Sequence, residues 1–293
     1  MEPDYVKLKE IKPALAGYIR ESQALLNQSV IPDENTIHDV RVLMKKARSV
    51  VRLIADQMDT VFIGREMQSL REVGRILCSW RDISVLRKAL KNLKKKHPDI
   101  FSKLEDNEKI NILMKKQEPL EELQESEKKS LDQIVDILNK SSFRIRFETM
   151  TRLDPHLLIK SLEASYICVV NNYMICRNDP KPASLHELRK RAKDFLYQLW
   201  FFRPLNPSVV KGLEKKLDLL TQNLGKYNDL SQLLKEIDYK YEYTANHPTL
   251  DELAIIIREE QDRNLAKVWP LAHKIFCPGQ SLVNVLGFKL LVI

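Results

Sequence analysis

Glycine is scarce, with seven residues in a chain of 293. Tight turns that need positive φ lean on glycine. The scarcity therefore counts against sandwiches and barrels and favours helices, as do long stretches rich in Leu, Lys, Glu and Ala. Cysteine is sparse too. Cys78, Cys168, Cys176 and Cys277 lie far apart or in apolar helical runs, with no zinc-binding spacing, and read as buried free thiols in a reducing compartment. No stretch approaches the roughly 20 apolar residues of a spanning helix, so no membrane function is expected. The opening residues, MEPDYVKLKEIKP, lack the apolar core of a signal peptide, which makes the cytoplasm the expected location. The closing SLVNVLGFKLLVI is apolar but short. It is expected to pack on the body of the protein or on a second copy, the latter giving a homo-oligomer.

Apolar residues make up 44% of the chain and charged residues 30%, the balance of a soluble globular protein. Lys and Arg number 48 against 40 Asp and Glu, a net charge of +8 that would attract an anionic partner if gathered on one surface. The length allows one large domain or two of roughly 150 residues.

Compared with itself at an offset of about 148, the chain repeats. IPDENTIHDVRVLMKKARSV matches NDPKPASLHELRKRAKDFLY, with Pro32 against Pro180, His38 against His186 and Arg41 against Arg189. Tyr18 falls on Tyr166. LCSWRDISVL then matches LGKYNDLSQL, with Asp82 against Asp229 and Ser84 against Ser231, and His97 and His247 each precede a proline. These last two histidines read as residues that open a helix. Asp82 and Asp229 look like N-caps, with Gln232 placed for a capping box.

Proline and polar punctuation predict helices over roughly 4–28, 35–57, 62–79 and 82–96, then a charged insertion of one or two helices over about 100–140. The second half predicts helices over roughly 155–177, 184–203, 207–224, 229–241 and 249–275. Two helical bundles, 1–150 and 151–293, joined near Asp154-Pro155, are the simplest architecture.

His38, Arg41, Lys45, Arg48 and Arg52 are spaced 3, 4, 3 and 4 apart, which on a helix confines them to a sector about 80° wide. Val40, Leu43, Met44, Ala47, Val51 and Ile54 form the opposite, apolar face. No acid interrupts the basic row. In the second half His186, Arg189, Lys190, Lys193 and Tyr197 fill the same sector, backed by Leu185, Leu188, Ala192, Phe195 and Leu199. Leu196 and Trp200 stand where Arg48 and Arg52 would be, so this row is shorter. One such row reads equally well as a solvated helix face. Its recurrence, each time led by a histidine, favours a ligand. Guanidinium and ammonium groups following a helix rise suit an extended chain of phosphates.

IHDVRVLMKKARSVVRLI and LHELRKRAKDFLYQLW resemble the two histidine-led helices of the conserved histidine α-helical domain, the CHAD domain. WRDISVL and YNDLSQL are similar to the turns that follow in each half of that family, and LAKVWPLAHKIF to its closing helix. The resemblance covers nearly the whole chain. It implies an all-α domain of two similar four-helix bundles related by a pseudo-twofold axis, with a basic groove or pore between them that binds inorganic polyphosphate. Carried over by position, His38, Arg41, Lys45, Lys46 and Arg48 would line one wall and His186, Arg189, Lys190 and Lys193 the other. Asp194 and Leu196 depart from positions often basic in the family, and Cys78 replaces the glycine seen as Gly225. The family's fused triphosphate-cleaving domain is not expected, for no Glu-x-Glu-x-Lys pattern opens the chain. A standalone binding module results, without catalysis, cofactor or metal, with polyphosphate granules as a place it would go.

Two other functions compete. A metal-dependent phosphohydrolase would use His38-Asp39, but such a site needs further histidines and a distant acid, and His186 is followed by Glu187. A nucleic-acid binder would exploit the same cations, yet single-strand readers add aromatic platforms. The rows offer only Tyr197 and Trp200, so a base-free polyanion fits better, with other polyanions as weaker partners.

Overall fold

The computed structural model describes residues 6–28, 31–80, 82–115, 125–150, 152–237 and 248–287, with the backbone alone at 79, 82 and 83. Among the described residues regular structure is entirely helical, without a strand. The elements are α1 (Leu8–Leu26), α2 (Glu34–Leu53), α3 (Thr60–Ser79), α4 (Asp82–Lys96), α5 (Pro98–Ser102), α6 (Glu108–Met114) and α7 (Glu125–Phe147). They continue as α8 (Pro155–Asn178), α9 (Pro182–Leu199), α10 (Pro207–Ile237), α11 (Pro248–Phe276) and α12 (Leu282–Val285). No helix among the described residues is long and apolar enough to cross a membrane.

Local chemistry sets most of the starts. The Asp33 side chain accepts the Thr36 backbone N–H at 2.7 Å, which opens α2 and holds the Asp33 carboxyl below its ordinary range. Asp59, Asn107 and Asp154 cap α3, α6 and α8 in the same way. His97 precedes α5 with Pro98 in the first turn, as the sequence predicts. Arg81, the Asp82 side chain and His247 lie outside the described residues.

Asp229 does not start a helix. It sits inside α10, which runs unbroken from Pro207 to Ile237, so the expected break between 224 and 229 and the capping box at Gln232 are both corrected. A helical glycine such as Gly225 costs about 1 kcal/mol relative to alanine. Burial outweighs it: Leu217, Leu220, Leu224, Tyr227, Leu230 and Leu233 keep helical spacing straight through the segment and are all buried, each worth about 1.5–3 kcal/mol.

The charged insertion also resolves differently from the expectation. Its end forms α7, whose Ile134, Leu138 and Ile145 are fully buried, and α7 packs against α1 and α3. Thus α1, α2, α3 and α7 pack around one another, while α4 leaves them to lie on α10. On the other side α8, α9, α10 and α11 pack in sequence, with α11 returning to α8, and α2 joins the two groups by packing on α9.

One hydrophobic cluster draws on all eight of these packed helices, from Ile11 to Phe276. A smaller cluster lies under α4, with α5, α6 and the facing parts of α10 and α11. Polar pegs fix the first cluster. Glu66, fully buried on α3, accepts from Ser141 and Arg144 of α7, and Lys12 donates to the terminal carbonyls of Arg146 and Glu148 at 2.9 and 2.7 Å.

The tail packs partly on the body: Leu282 and Leu286 are buried in the large cluster, and Asn206 donates to the Leu286 carbonyl. Its residues 288–293 lie outside the described residues. Of the four cysteines only Cys176 is buried; Cys78, Cys168 and Cys277 are half-buried, which corrects the expectation that all four are inside. All four are free thiols.

Candidate functional site

The inward faces of α2 and α9 are those the periodicity predicts. Val40, Leu43, Met44, Ala47, Val51 and Ile54 are buried on or just beyond α2, as are Leu185, Leu188, Ala192, Phe195 and Leu199 on α9. Burying these stripes forces the cationic rows outward or into the seam between the helices.

On α2, His38 is exposed and Arg41, Lys45, Lys46, Arg48 and Arg52 are half-buried. Arg41 Nη1 donates to the Gly74 carbonyl of α3 at 2.9 Å. Arg48 lies close enough to its neighbours that burial, Arg52, Arg71 and Arg41 all push its pKa down, with Asp194 alone pulling it up. The Nε atoms of Arg41 and Arg48 are shielded and have no hydrogen-bond partner. Arg52 Nη1 sits 2.9 Å from Asp194 Oδ1, but the pair is not aligned as a hydrogen bond. The α2 row is thus a cluster of arginines with one acid at its edge. Arg71, on α3, joins it across the helix boundary, where no single-helix pattern could reveal it.

The α9 row differs. His186 Nδ1 lies 3.0 Å from Asn228 Oδ1. Arg189 Nε donates to the Thr221 carbonyl of α10 at 3.2 Å, and Gly225 makes room for it: a Cβ there would stand 3.2 Å from Arg189 Nε and Nη2. Lys190 pairs with Glu187 at 3.0 Å and Lys193 with Asp218 at 3.0 Å. The expectation of a second row without internal counterions is therefore corrected. Glu187 sits one turn back on the same helix, and Asp218 reaches in from α10.

Asp194 and Tyr197 show the seam's low polarity. Burial raises the Asp194 carboxyl against the pull of Arg52, Arg191, Arg48 and Lys190, and pushes the Tyr197 phenol up to about 12. Two bonds lock the helices here: Ser49 Oγ donates to the Asp194 carbonyl at 2.9 Å, and Gln198 Nε2 to the Ser49 carbonyl at 3.1 Å.

Beside this seam an open cleft of about 770 Å³ separates α1 and α2 from α9 and α10. Lys46 and Tyr197, both singled out in the sequence, line it with Tyr18, Trp200, Lys211 and Lys215. Lys46 lies 5.7 Å from the Tyr18 ring. Arg203, also at the cleft, is held by Glu214 in two short bonds at 2.9 and 2.7 Å. Lys46, Lys211 and Lys215 form no ion pair among the described residues. Lys211 and Lys215 are one turn apart on α10; their spacing was available in the sequence, but Glu214 and Asp218 interleave with them.

Among the described residues no three His, Cys, Asp or Glu side chains gather to hold a metal. A family model for the CHAD domain matches residues 14–238, more than half of the chain. The chain belongs to the CHAD family. CHAD domains are helical modules associated with polyphosphate binding. The matched CHAD span includes both histidine-led helices and the whole of α10, and stops before α11. No curated protein matches this CHAD chain by sequence.

Proposed function

We propose that this protein binds inorganic polyphosphate, without catalysis, along the outer face of α2 and into the cleft beside it. Arg48, Arg52, Lys45 and Lys46 grip the chain, with His38 at one end and Lys211 and Lys215 facing them. The α9 residues His186, Arg189, Lys190, Lys193 and Tyr197 form the second wall, with weaker pull because their charges are largely matched. The observation that carries this reading is the arginine cluster itself. Arg52 and Arg41, half-buried, and Arg71, exposed, all act against the charge of the half-buried Arg48, with Asp194 the one acid acting on it among the described residues. A linear phosphate polymer relieves that repulsion and offers acceptors at close, regular spacing. The chain then works as two helical bundles about a shared basic seam, in the cytoplasm, where granules of polyphosphate would concentrate it.

The cleft aromatics favour one competing reading, a single-stranded nucleic acid stacking on Tyr18, Tyr197 and Trp200. The Trp200 ring is already covered, by Lys7 at 3.9 Å and edge-on by Phe201 at 4.9 Å, and Tyr197 is half-buried. Fluorescence polarisation with labelled polyphosphate, competed by single-stranded DNA, separates the two. Polyphosphate should displace DNA and resist displacement by it; tighter DNA binding would overturn the assignment. The Lys46→Glu, Arg48→Glu double variant should lose at least about tenfold in polyphosphate affinity with its circular dichroism unchanged.

A further inference from the structure

A second basic cleft lies away from the α2 and α9 rows. It runs between α4, α10 and α11 and encloses about 900 Å³, within the range of small-ligand sites, about 300–1,000 Å³. Its rim carries Lys88 and Lys95 from α4, Lys226 from α10 and Lys267 from α11, all exposed. None of these four forms an ion pair among the described residues. The cleft's two acids are Asp229 and Glu260. Glu260 is already engaged, by Lys96 at 2.7 Å and Arg263 at 2.5 Å. Four lysines from three helices thus converge on one concavity with unspent charge.

The floor has a different character. Val85, Ala89, Leu93 and Leu230 line it, and Leu93 and Leu230 belong to the smaller hydrophobic cluster. Asn92 and Asn264 flank this strip and present amides; Asn264 spends its Nδ2 on the Glu260 carbonyl at 2.6 Å, which leaves its side-chain oxygen to accept. An inorganic anion would satisfy the rim and leave the floor dry and unused. A ligand with a flat, weakly polar body and a multiply charged tail satisfies both.

We propose that this cleft binds a nucleotide, its phosphates held by Lys88, Lys95, Lys226 and Lys267 and its base resting on the apolar floor between Asn92 and Asn264. The site is independent of the polyphosphate face, since it shares no residue with it.

Isothermal titration of the full chain in magnesium-free buffer tests this with ATP, and in parallel with inorganic triphosphate, which supplies the same tail without the base. ATP should bind with one site per chain and at least about tenfold more tightly than triphosphate. Lys88→Glu with Lys267→Glu, both exposed and so neutral to the core, should weaken ATP at least about tenfold. The Lys46→Glu, Arg48→Glu variant should leave ATP binding unchanged. The proposal is overturned if ATP gives no binding at about 1 mM, if triphosphate matches ATP at this cleft, or if the α4 and α11 reversals leave ATP affinity intact. If the unsubstituted chain binds ATP but no polyphosphate, or if the Lys46→Glu, Arg48→Glu variant keeps full polyphosphate affinity, the α2 assignment fails and this one stands.

Discussion

Arg52 on α2 and Asp194 on α9 hold opposite charges 2.9 Å apart across the seam between the two halves. In the internal repeat Asp194 takes the place that Lys46 holds on α2, so a carboxylate stands at the edge of an arginine cluster where symmetry of sequence would set another cation. Burial raises its pKa. The folded state therefore holds the Asp194 proton more tightly than the unfolded chain does. Its ionisation opposes folding, a penalty absent at low pH that grows as pH rises through the carboxylate range.

Asp194→Asn should strengthen polyphosphate binding roughly three- to tenfold, because it removes the acid that offsets Arg52 and Arg48 while keeping the shape of the side chain. Because the wild-type carboxyl takes up its proton at higher pH than an ordinary aspartate, wild-type affinity should rise more steeply than affinity of the variant as pH falls toward the carboxylate range. Polarisation titrations of both proteins across pH read the difference, and parallel slopes would show that Asp194 does not shape the ligand field.

Arg41 and Arg189 are repeat partners that both spend a donor on a neighbouring helix, Arg41 on the Gly74 carbonyl and Arg189 on the Thr221 carbonyl. Each ties its row to the helix behind. Arg41→Met or Arg189→Met should therefore cost stability, about 1–2 kcal/mol in urea denaturation, whereas Lys46→Met or Lys215→Met at the cleft should change stability by less than about 0.5 kcal/mol. Equal costs at all four positions would contradict the tying role of the two arginines.

The parts of the molecule legible in its sequence are those a single helix decides. Val40 to Ile54 and Leu185 to Leu199 reveal their buried faces by spacing, because an apolar stripe has only one way to turn. The caps at Asp33 and Asp59 are local as well, though the sequence pattern points to caps at Asp82 and Asp229 instead. The continuity of α10 was hidden, since Gly225 and Asp229 signal a break and only tertiary burial of Leu224, Tyr227 and Leu230 overrides it. Charge matching was hidden for the same reason. Lys193 looks free along α9, and its partner Asp218 comes from a helix 25 positions on. Arg71 enters the arginine cluster from α3, and Lys211 and Lys215 face Lys46 from α10, with acids between them that made no unbroken row.

Glu66 is fully buried, and among the described residues its carboxyl is held by Arg144 and Ser141. Removing the guanidinium leaves that carboxylate without its counter-ion inside the bundle. Arg144→Met should destabilise the protein by about 3–5 kcal/mol, and pairing it with Glu66→Met should recover much of the loss, because two packed thioether chains need no desolvated charge. Denaturation midpoints of the two variants decide it. A double variant no better than the single one would mean that the pair contributes packing and not charge.

Cys176 is buried on α8, and burial pushes its thiol up to about 11. At about pH 8 its thiolate is then on the order of one part in a thousand, and the side chain is closed to reagent as well. Cys78, Cys168 and Cys277 are half-buried and so less enclosed. Iodoacetamide at this pH should label those three first and reach Cys176 only on unfolding, since the thiolate is the nucleophile and both its supply and its access are restricted here. Peptide mass spectrometry over a time course gives the order. Labelling of Cys176 at the rate of the other three would require α8 to open locally, and would place its part of the large core at the weak end.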